Sequence, residues 1–77
     1  MDTETIRSRL AEAFPGAVEV AVEDRTGTGD HFLVTVVSPD FDGLPLIDQH
    51  RRVNDVLAPS IADGSIHELR IRTRGTA

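Results

Sequence analysis

Three histidines are the only side chains in this 77-residue chain that normally change charge near neutral pH, and they are also common metal ligands. They are His31, His50 and His67, which lie far apart in the sequence. The chain has no cysteine, so it can form no disulfide, thiolate ligand or thiol nucleophile. Any metal bound by its side chains must therefore use histidine or carboxylate ligands.

His50 is the histidine with carboxylates nearest to it in sequence, since Asp48 and Asp55 are two and five residues away. Residues at these spacings do not face each other on a helix, so neither makes an acid–base pair with His50. The sequence also has no nucleophile elbow, phosphate-binding loop or zinc-protease motif. We therefore predict no catalytic residue and no enzymatic activity. His50 is expected to be structural and to hydrogen bond the turn over residues 40–42.

Hydrophobic periodicity predicts the elements of the first half of the chain. Apolar residues at helical spacing indicate an amphipathic helix over 3–14, which Pro15-Gly16 ends. Alternating valines then indicate a half-buried strand over 18–23. A loop over 24–30 contains two glycines and no large apolar residue, and a second strand follows over 31–38.

The second half is predicted to contain a turn over 39–45, a helix from 46 to 57, a short second helix over 59–62 and a strand over 66–73. The tail after the last strand is expected to be frayed. The resulting order is α-β-β-α-α-β, in a single domain over 1–77. Strands one and two form an antiparallel hairpin, and the helical crossover makes strands two and three parallel. We expect an α+β fold, a three-stranded mixed sheet with all helices on one face.

This topology predicts that two of the histidines lie at one edge of the sheet. His31 begins strand two and His67 begins strand three, and parallel neighbours start at the same edge about 4.8 Å apart. By strand alternation, however, His67 shares the helix side with Leu69, whereas His31 lies on the solvent side opposite Phe32. The two rings can meet only if His31 is still in the loop or if the strand start is bent.

The charge balance is acidic, with a formal net charge of −5, and all eight basic residues are arginine. Such a balance disfavours non-specific DNA binding, and three Phe without Trp or Tyr provide few surfaces for base stacking. No apolar run reaches the roughly 18 residues of a membrane span, and no signal-peptide pattern precedes the first helix. We expect a cytoplasmic protein with no membrane association.

Five short pieces of the chain, in this order, resemble the BolA family. They are Asp30-His31-Phe32, Val36-Val37-Ser38, Phe41-Asp42-Gly43, His50-Arg51-Arg52-Val53 and Ile66-His67-Glu68-Leu69. Six residues separate the Phe-x-Gly piece from the His-Arg-x-Val piece, as in the family pattern. No piece is specific by itself, but the resemblance runs from about Ile6 to Thr73. It implies a BolA-like fold, which is related to the type II KH fold.

The resemblance implies an adaptor function in iron–sulfur trafficking or iron homeostasis. BolA-like proteins pair with a monothiol glutaredoxin, and the pair can share a [2Fe-2S] cluster. The glutaredoxin supplies its cysteine and a bound glutathione thiol, while the BolA-like chain supplies histidine. Carried over to this chain, His67 is the first candidate ligand and His31 is the second. Alone, the chain is expected to hold no cofactor and to be a monomer or a weak homodimer.

A KH-like nucleic-acid-binding transcriptional regulator is the alternative function that the resemblance implies. Its candidate contacts, with possible weak DNA binding, are the arginines Arg51, Arg52, Arg70 and Arg72. The helix junction lacks the Gly-x-x-Gly loop of KH domains.

The chain also departs from the BolA pattern in two places. It lacks the Thr-Pro and Trp that often follow the last strand, and its 24–30 loop has neither Cys nor His.

Overall fold

The computed structural model describes all residues from 1 to 77. Its elements are α1 (Thr3–Ala13), β1 (Glu19–Asp24), β2 (His31–Val37), a 3-10 turn (Pro39–Phe41), α2 (Leu46–Ala62) and β3 (Glu68–Arg74). The start of α1 is capped by Asp2, whose carboxylate accepts a hydrogen bond of 2.8 Å from the backbone N–H of Thr5. No helix is long and apolar enough to span a membrane.

The three strands form one sheet in the order β1-β2-β3. The β1–β2 pair is antiparallel, and the β2–β3 pair is parallel with α2 as the crossover. In the parallel pair His31 lies beside Glu68 at one end, and Val37 lies beside Arg74 at the other. The predicted α+β class and the mixed three-stranded sheet are therefore confirmed.

Both helices pack on one face of the sheet and enclose a single apolar core. The buried residues of this core are Ile6, Leu10, Phe14, Phe32, Val34, Val36, Phe41, Val53, Leu57 and Ile66. The rings of Phe14 and Phe41 lie 5.2 Å apart between centroids and tie the end of α1 to the turn before α2. No helix covers the other face of the sheet, which leaves it exposed to solvent.

The predicted helix break at Pro59 is wrong, because α2 continues through this residue as one helix. Proline has no N–H and leaves the carbonyl of Asp55 without its helical partner. Both residues lie on the exposed side of α2, where water can satisfy that carbonyl. The next residue, Ser60, is buried, and its hydroxyl accepts a hydrogen bond of 2.5 Å from Nη1 of Arg9. This tertiary contact is available only if the last turn remains helical.

The C-terminal tail is also ordered, which contradicts the predicted fraying. One carboxylate oxygen of Asp42 accepts hydrogen bonds from the backbone N–H groups of Thr76 and Ala77, at 2.6 and 3.2 Å. The N–H of Ser38 donates to the carbonyl of Arg74 at 3.0 Å. The end of β3 is thus held against the turn that precedes α2.

We expect Leu57→Ala to lower the free energy of unfolding by about 2–5 kcal/mol, because it opens a cavity in the only core of a small domain. Ile61→Ala is the matched control on the same helix, since Ile61 is 40% exposed, and we expect it to cost about 1 kcal/mol or less. Urea unfolding followed by circular dichroism measures both. Equal losses for the two variants would contradict this description of the core.

Candidate metal-binding site

The loop between β1 and β2 is organised by a single carboxylate. Oδ1 of Asp24 accepts hydrogen bonds from the backbone N–H groups of Thr26 and Gly27, at 3.3 and 2.9 Å, and Oδ2 accepts one from Gly29 at 3.0 Å. The two glycines have φ angles of 75° and 76°, which residues with a Cβ rarely adopt. The N-terminal ammonium of Met1 donates to the carbonyl of Gly29 at 3.1 Å. This loop ends at Asp30 and determines where that residue is held.

The backbone of Asp30 joins the starts of β2 and β3. Its carbonyl oxygen accepts hydrogen bonds from the N–H groups of both His67 and Glu68, at 2.8 and 3.2 Å. His67 therefore precedes β3 and does not follow its alternation, whereas His31 is the first residue of β2. The sequence predicts that the rings meet only if His31 is in the loop or if the strand start is bent. His31 is in β2, and the departure from strand geometry lies at His67.

The carboxylate of Asp30 lies between the two histidine rings. Its Oδ1 is 2.7 Å from Nδ1 of His31, and its Oδ2 is 3.1 Å from Nδ1 of His67. The ring centroids are 6.2 Å apart and the ring planes are perpendicular. The structure thus brings together the two histidines selected from the sequence, and it adds a carboxylate that sequence reasoning missed. Its only signal was an Asp next to His31 at the end of the loop.

The hydrogen bonds to Asp30 keep it ionised. The hydroxyl of Thr28 donates to Oδ1, and this bond, followed by that from His31, lowers the pKa of Asp30 from 3.8 to about 2. An ionised carboxylate only accepts hydrogen bonds, so Nδ1 of His31, which is hydrogen bonded to it, carries the proton. Nδ1 of His67 lies within ion-pair distance of the same carboxylate but makes no hydrogen bond to it. In a neutral ring, Nε2 then has a free lone pair, and no protein group hydrogen bonds Nε2 of either His31 or His67.

The two imidazole rings are accessible at the protein surface, as ligands of a metal held together with a partner must be. The side chain of His67 is 61% exposed and that of His31 is 34% exposed, so both can be reached by a partner. Neutral imidazole is a good ligand for iron, and histidine can replace cysteine on one iron of a [2Fe-2S] cluster. No group of three or more His, Asp or Glu residues is arranged to hold a metal ion by itself. Two exposed imidazoles at one end of the sheet are the ligands that this chain could offer to a metal shared with another protein.

His50 takes no part in this site, because it lies on α2 whereas the histidine pair lies at the starts of β2 and β3. It also makes no hydrogen bond to the turn over 40–42, so that prediction is wrong. The neighbouring Gln49 has the structural role instead. Its side-chain amide donates to the carbonyl of Leu44 at 2.9 Å, and its Oε1 accepts from the hydroxyl of Thr73 at 2.7 Å. The start of α2 is thereby tied to β3.

The four candidate nucleic-acid contacts lie on two different surfaces. Arg51 and Arg52 are exposed on α2, whereas Arg70 and Arg72 are exposed on the face of β3 that points away from the helices. Two of them have acidic neighbours, since Arg51 lies 3.9 Å from Asp48 and Arg70 lies 3.1 Å from Glu68. These arginines do not form one continuous basic patch.

The sequence of the chain matches the family model of the BolA-like protein over residues 11–77. It is 36% identical over 80 residues to an uncharacterized protein in the cobS 5′ region of Sinorhizobium, covering 90% of this chain and 85% of that protein. It is 48% identical over 50 residues to the DNA-binding transcriptional regulator BolA of Vibrio cholerae, covering 65% and 46% of the two chains. The chain spans about half the length of several curated relatives that it matches.

Solved structures show the same fold. BolA1 from Arabidopsis thaliana superimposes with a TM-score of 0.85 at 28% sequence identity, covering 96% of this chain and 90% of that one. The family model covers most of the chain, and the structural match extends over nearly all of it. Together with the order of strands and helices, these matches establish that the chain belongs to the BolA-like family.

Proposed function

We propose that this chain is an adaptor that pairs with a monothiol glutaredoxin and shares a [2Fe-2S] cluster with it, in iron–sulfur trafficking or iron homeostasis. The observation that carries the proposal is the contact of one ionised carboxylate, Asp30, with Nδ1 of both His31 and His67. When bound, the cluster supplies an iron–sulfur unit that can be passed on or can report on iron supply. The residues of this chain bind and orient it.

The division of ligands is the one that the resemblance to the BolA family implies. This chain has no cysteine and supplies no thiolate, so in this proposal the thiolates come from the partner's cysteine and its bound glutathione. His67 is the more exposed of the two histidines and is the first ligand, while His31 is the second. Asp30 acts through them, because a carboxylate on Nδ1 fixes the ring orientation and increases the basicity of Nε2.

DNA binding is the second candidate function, and one observation favours it. The Vibrio cholerae relative is named as a DNA-binding transcriptional regulator. In this chain Arg70 and Arg72 lie on an uncovered sheet face, where a duplex could approach them. The net charge of −5 and the separation of the four arginines onto two surfaces both oppose strong binding.

We expect the neutral forms of His31 and His67 to carry the proton on Nδ1, which in each ring is the nitrogen that contacts the carboxylate of Asp30. In Asp30→Asn the amide oxygen can accept from one ring only, so the other ring should shift towards protonation at Nε2. The ¹⁵N chemical shifts of the ring nitrogens report this directly, without cluster or partner. Asp55→Asn is the control, since Asp55 is exposed on α2 and contacts neither histidine. Unchanged ring shifts in Asp30→Asn would show that the carboxylate does not set the protonated nitrogen.

We expect a visible circular dichroism spectrum that differs from that of the glutaredoxin alone when the two proteins are mixed under cluster-reconstituting conditions with glutathione. His67→Ala should abolish the difference, because it removes the first ligand. His31→Ala should weaken it, and Asp30→Asn should lower the yield of loaded complex by roughly 10-fold, as is typical of residues that orient metal ligands.

His50→Ala is the matched control for this reconstitution, because it removes an imidazole away from the site. It should give the wild-type spectrum. If wild type and His67→Ala leave the glutaredoxin spectrum equally unchanged, and no complex forms, the proposed adaptor function is wrong.

If the second candidate function is correct, DNA binding should weaken with salt, with a slope that reflects the phosphates contacted. Arg70→Ala with Arg72→Ala should reduce that slope by about one per lost contact, whereas Arg51→Ala with Arg52→Ala should leave it unchanged. Fluorescence anisotropy across a salt series measures both. The absence of binding at low salt would eliminate this candidate.

A further inference from the structure

The sheet face that points away from the helices, here called the open face, has a partly apolar centre. The central strand β2 contributes Leu33, Thr35 and Val37 to it; the first two are only half-buried, whereas Val37 is buried. They alternate with Phe32 and Val34, which are fully buried against the helices. An uncovered centre of this kind is available to a partner.

The two outer strands carry opposite charges on the open face. β1 places Glu19 and Glu23 there, and β3 places three arginines and one glutamate there, all of them exposed: Glu68, Arg70, Arg72 and Arg74. Glu68 pairs with Arg70 on the same strand, and Arg72 and Arg74 have no ion-pair partner within the chain. Because β2 lies between them, the acidic and basic residues stay about 9–10 Å apart and do not neutralise each other. The open face thus has an acidic edge and a basic edge.

The strand register places acidic residues of β1 directly across the sheet from basic residues of β3. Glu19 is paired with Val37, which is paired with Arg74, so these residues form one row across the sheet. Glu23 is paired with Leu33, which is paired with Arg70, and these form a second row. Each row therefore has an acid at one edge and a base at the other.

From this register we propose that the open face is the docking surface for a second copy of this chain. The two copies form a two-fold dimer whose axis is parallel to β2 and lies between the two sheets. Rotation about such an axis places β1 of one copy opposite β3 of the other. Each residue keeps its position along the strand direction. Glu19 then faces Arg74 of the second copy, and Glu23 faces Arg70. A two-fold axis in the sheet plane but perpendicular to the strands would place acid against acid, so the charges select one arrangement.

The dimensions permit this contact and limit its strength. Packed sheets lie about 10 Å apart, a gap that opposed arginine and glutamate side chains can bridge. A groove of about 450 Å³ is lined by Glu19, Thr35 and Arg72 of the open face and extends to Leu46 and His50 at the start of α2. Strands of six, seven and seven residues present roughly 14 by 23 Å, which is at the small, transient end of interfaces. The dimer therefore dissociates on dilution.

Charge exchange between the two edges provides the test. Glu19→Arg with Glu23→Arg makes both edges basic and changes the net charge from −5 to −1, since each substitution adds two charges. Arg70→Glu with Arg74→Glu makes both edges acidic and changes it from −5 to −9. Neither double variant can pair with itself in the proposed arrangement. An equal mixture of the two restores opposite charges at both edges, so it should form a heterodimer.

Sedimentation equilibrium at concentrations up to about 1 mM, where weak pairs are populated, is the measurement. The wild-type average mass should rise from 8.4 kDa towards twice that value, each double variant should remain at the monomer mass, and the mixture should recover association. Glu12→Arg with Asp55→Arg is the matched control, because both residues are exposed on helices and its net charge is also −1. It should associate at least as well as wild type.

Concentration-dependent amide shifts of the wild type locate the contact even if a charge variant fails to fold. Shifts confined to residues of the open face, such as Leu33 and Thr35, support the proposal. A wild type that remains monomeric at about 1 mM, shifts that map to the helices, or a mixture that does not recover association would each overturn it. These outcomes involve no glutaredoxin and no metal, so they are independent of the proposed function.

Discussion

The parallel pairing of β2 with β3 is the constraint on which the rest of the structure depends. The two strands are remote in sequence, and α2 returns the chain to the edge from which β2 began. The same register places Leu69 and Ile71 against the buried residues of β2. One ladder of hydrogen bonds therefore completes the core and also determines which residues meet at the end of the sheet.

The residues that stabilise the fold and the residues that form the histidine site lie at different places along this ladder. The apolar residues that hold the fold together lie between the sheet and the helices. The polar contacts among Asp30, His31 and His67 lie at the end of the strands, where solvent reaches them. Substitutions at the histidine site consequently remove little buried surface, so their effects on ligand binding can be separated from effects on folding.

The sequence was sufficient for the fold class and for the edge at which His31 and His67 meet, because both follow from short-range periodicity and from the topology of a crossover. It was insufficient where a long-range contact decides the outcome. Pro59 remains helical because the buried Ser60 hydroxyl receives Arg9 from the other helix. The tail is ordered because Asp42, thirty-four residues before Thr76, accepts its N–H.

Asp30 was missed for a related reason. A carboxylate beside a histidine in sequence is usually solvated, and its contact with a second, distant histidine depends on how the preceding loop is folded. That loop is fixed by backbone hydrogen bonds to Asp24 and by two glycines with positive φ angles. Periodicity contains no information about such bonds, so the carboxylate could be identified only from the arrangement in three dimensions.

The hydrogen bond between the Met1 ammonium and the carbonyl of Gly29 has a practical consequence. It places the amino terminus on the loop that positions Asp30, whereas Ala77 lies beyond the other end of β3, a strand of seven residues that is about 23 Å long. A fluorophore or surface tether joined to Met1 would remove that ammonium and crowd the loop. The same attachment at Ala77 leaves the histidine end free, which makes it the better place to immobilise the protein.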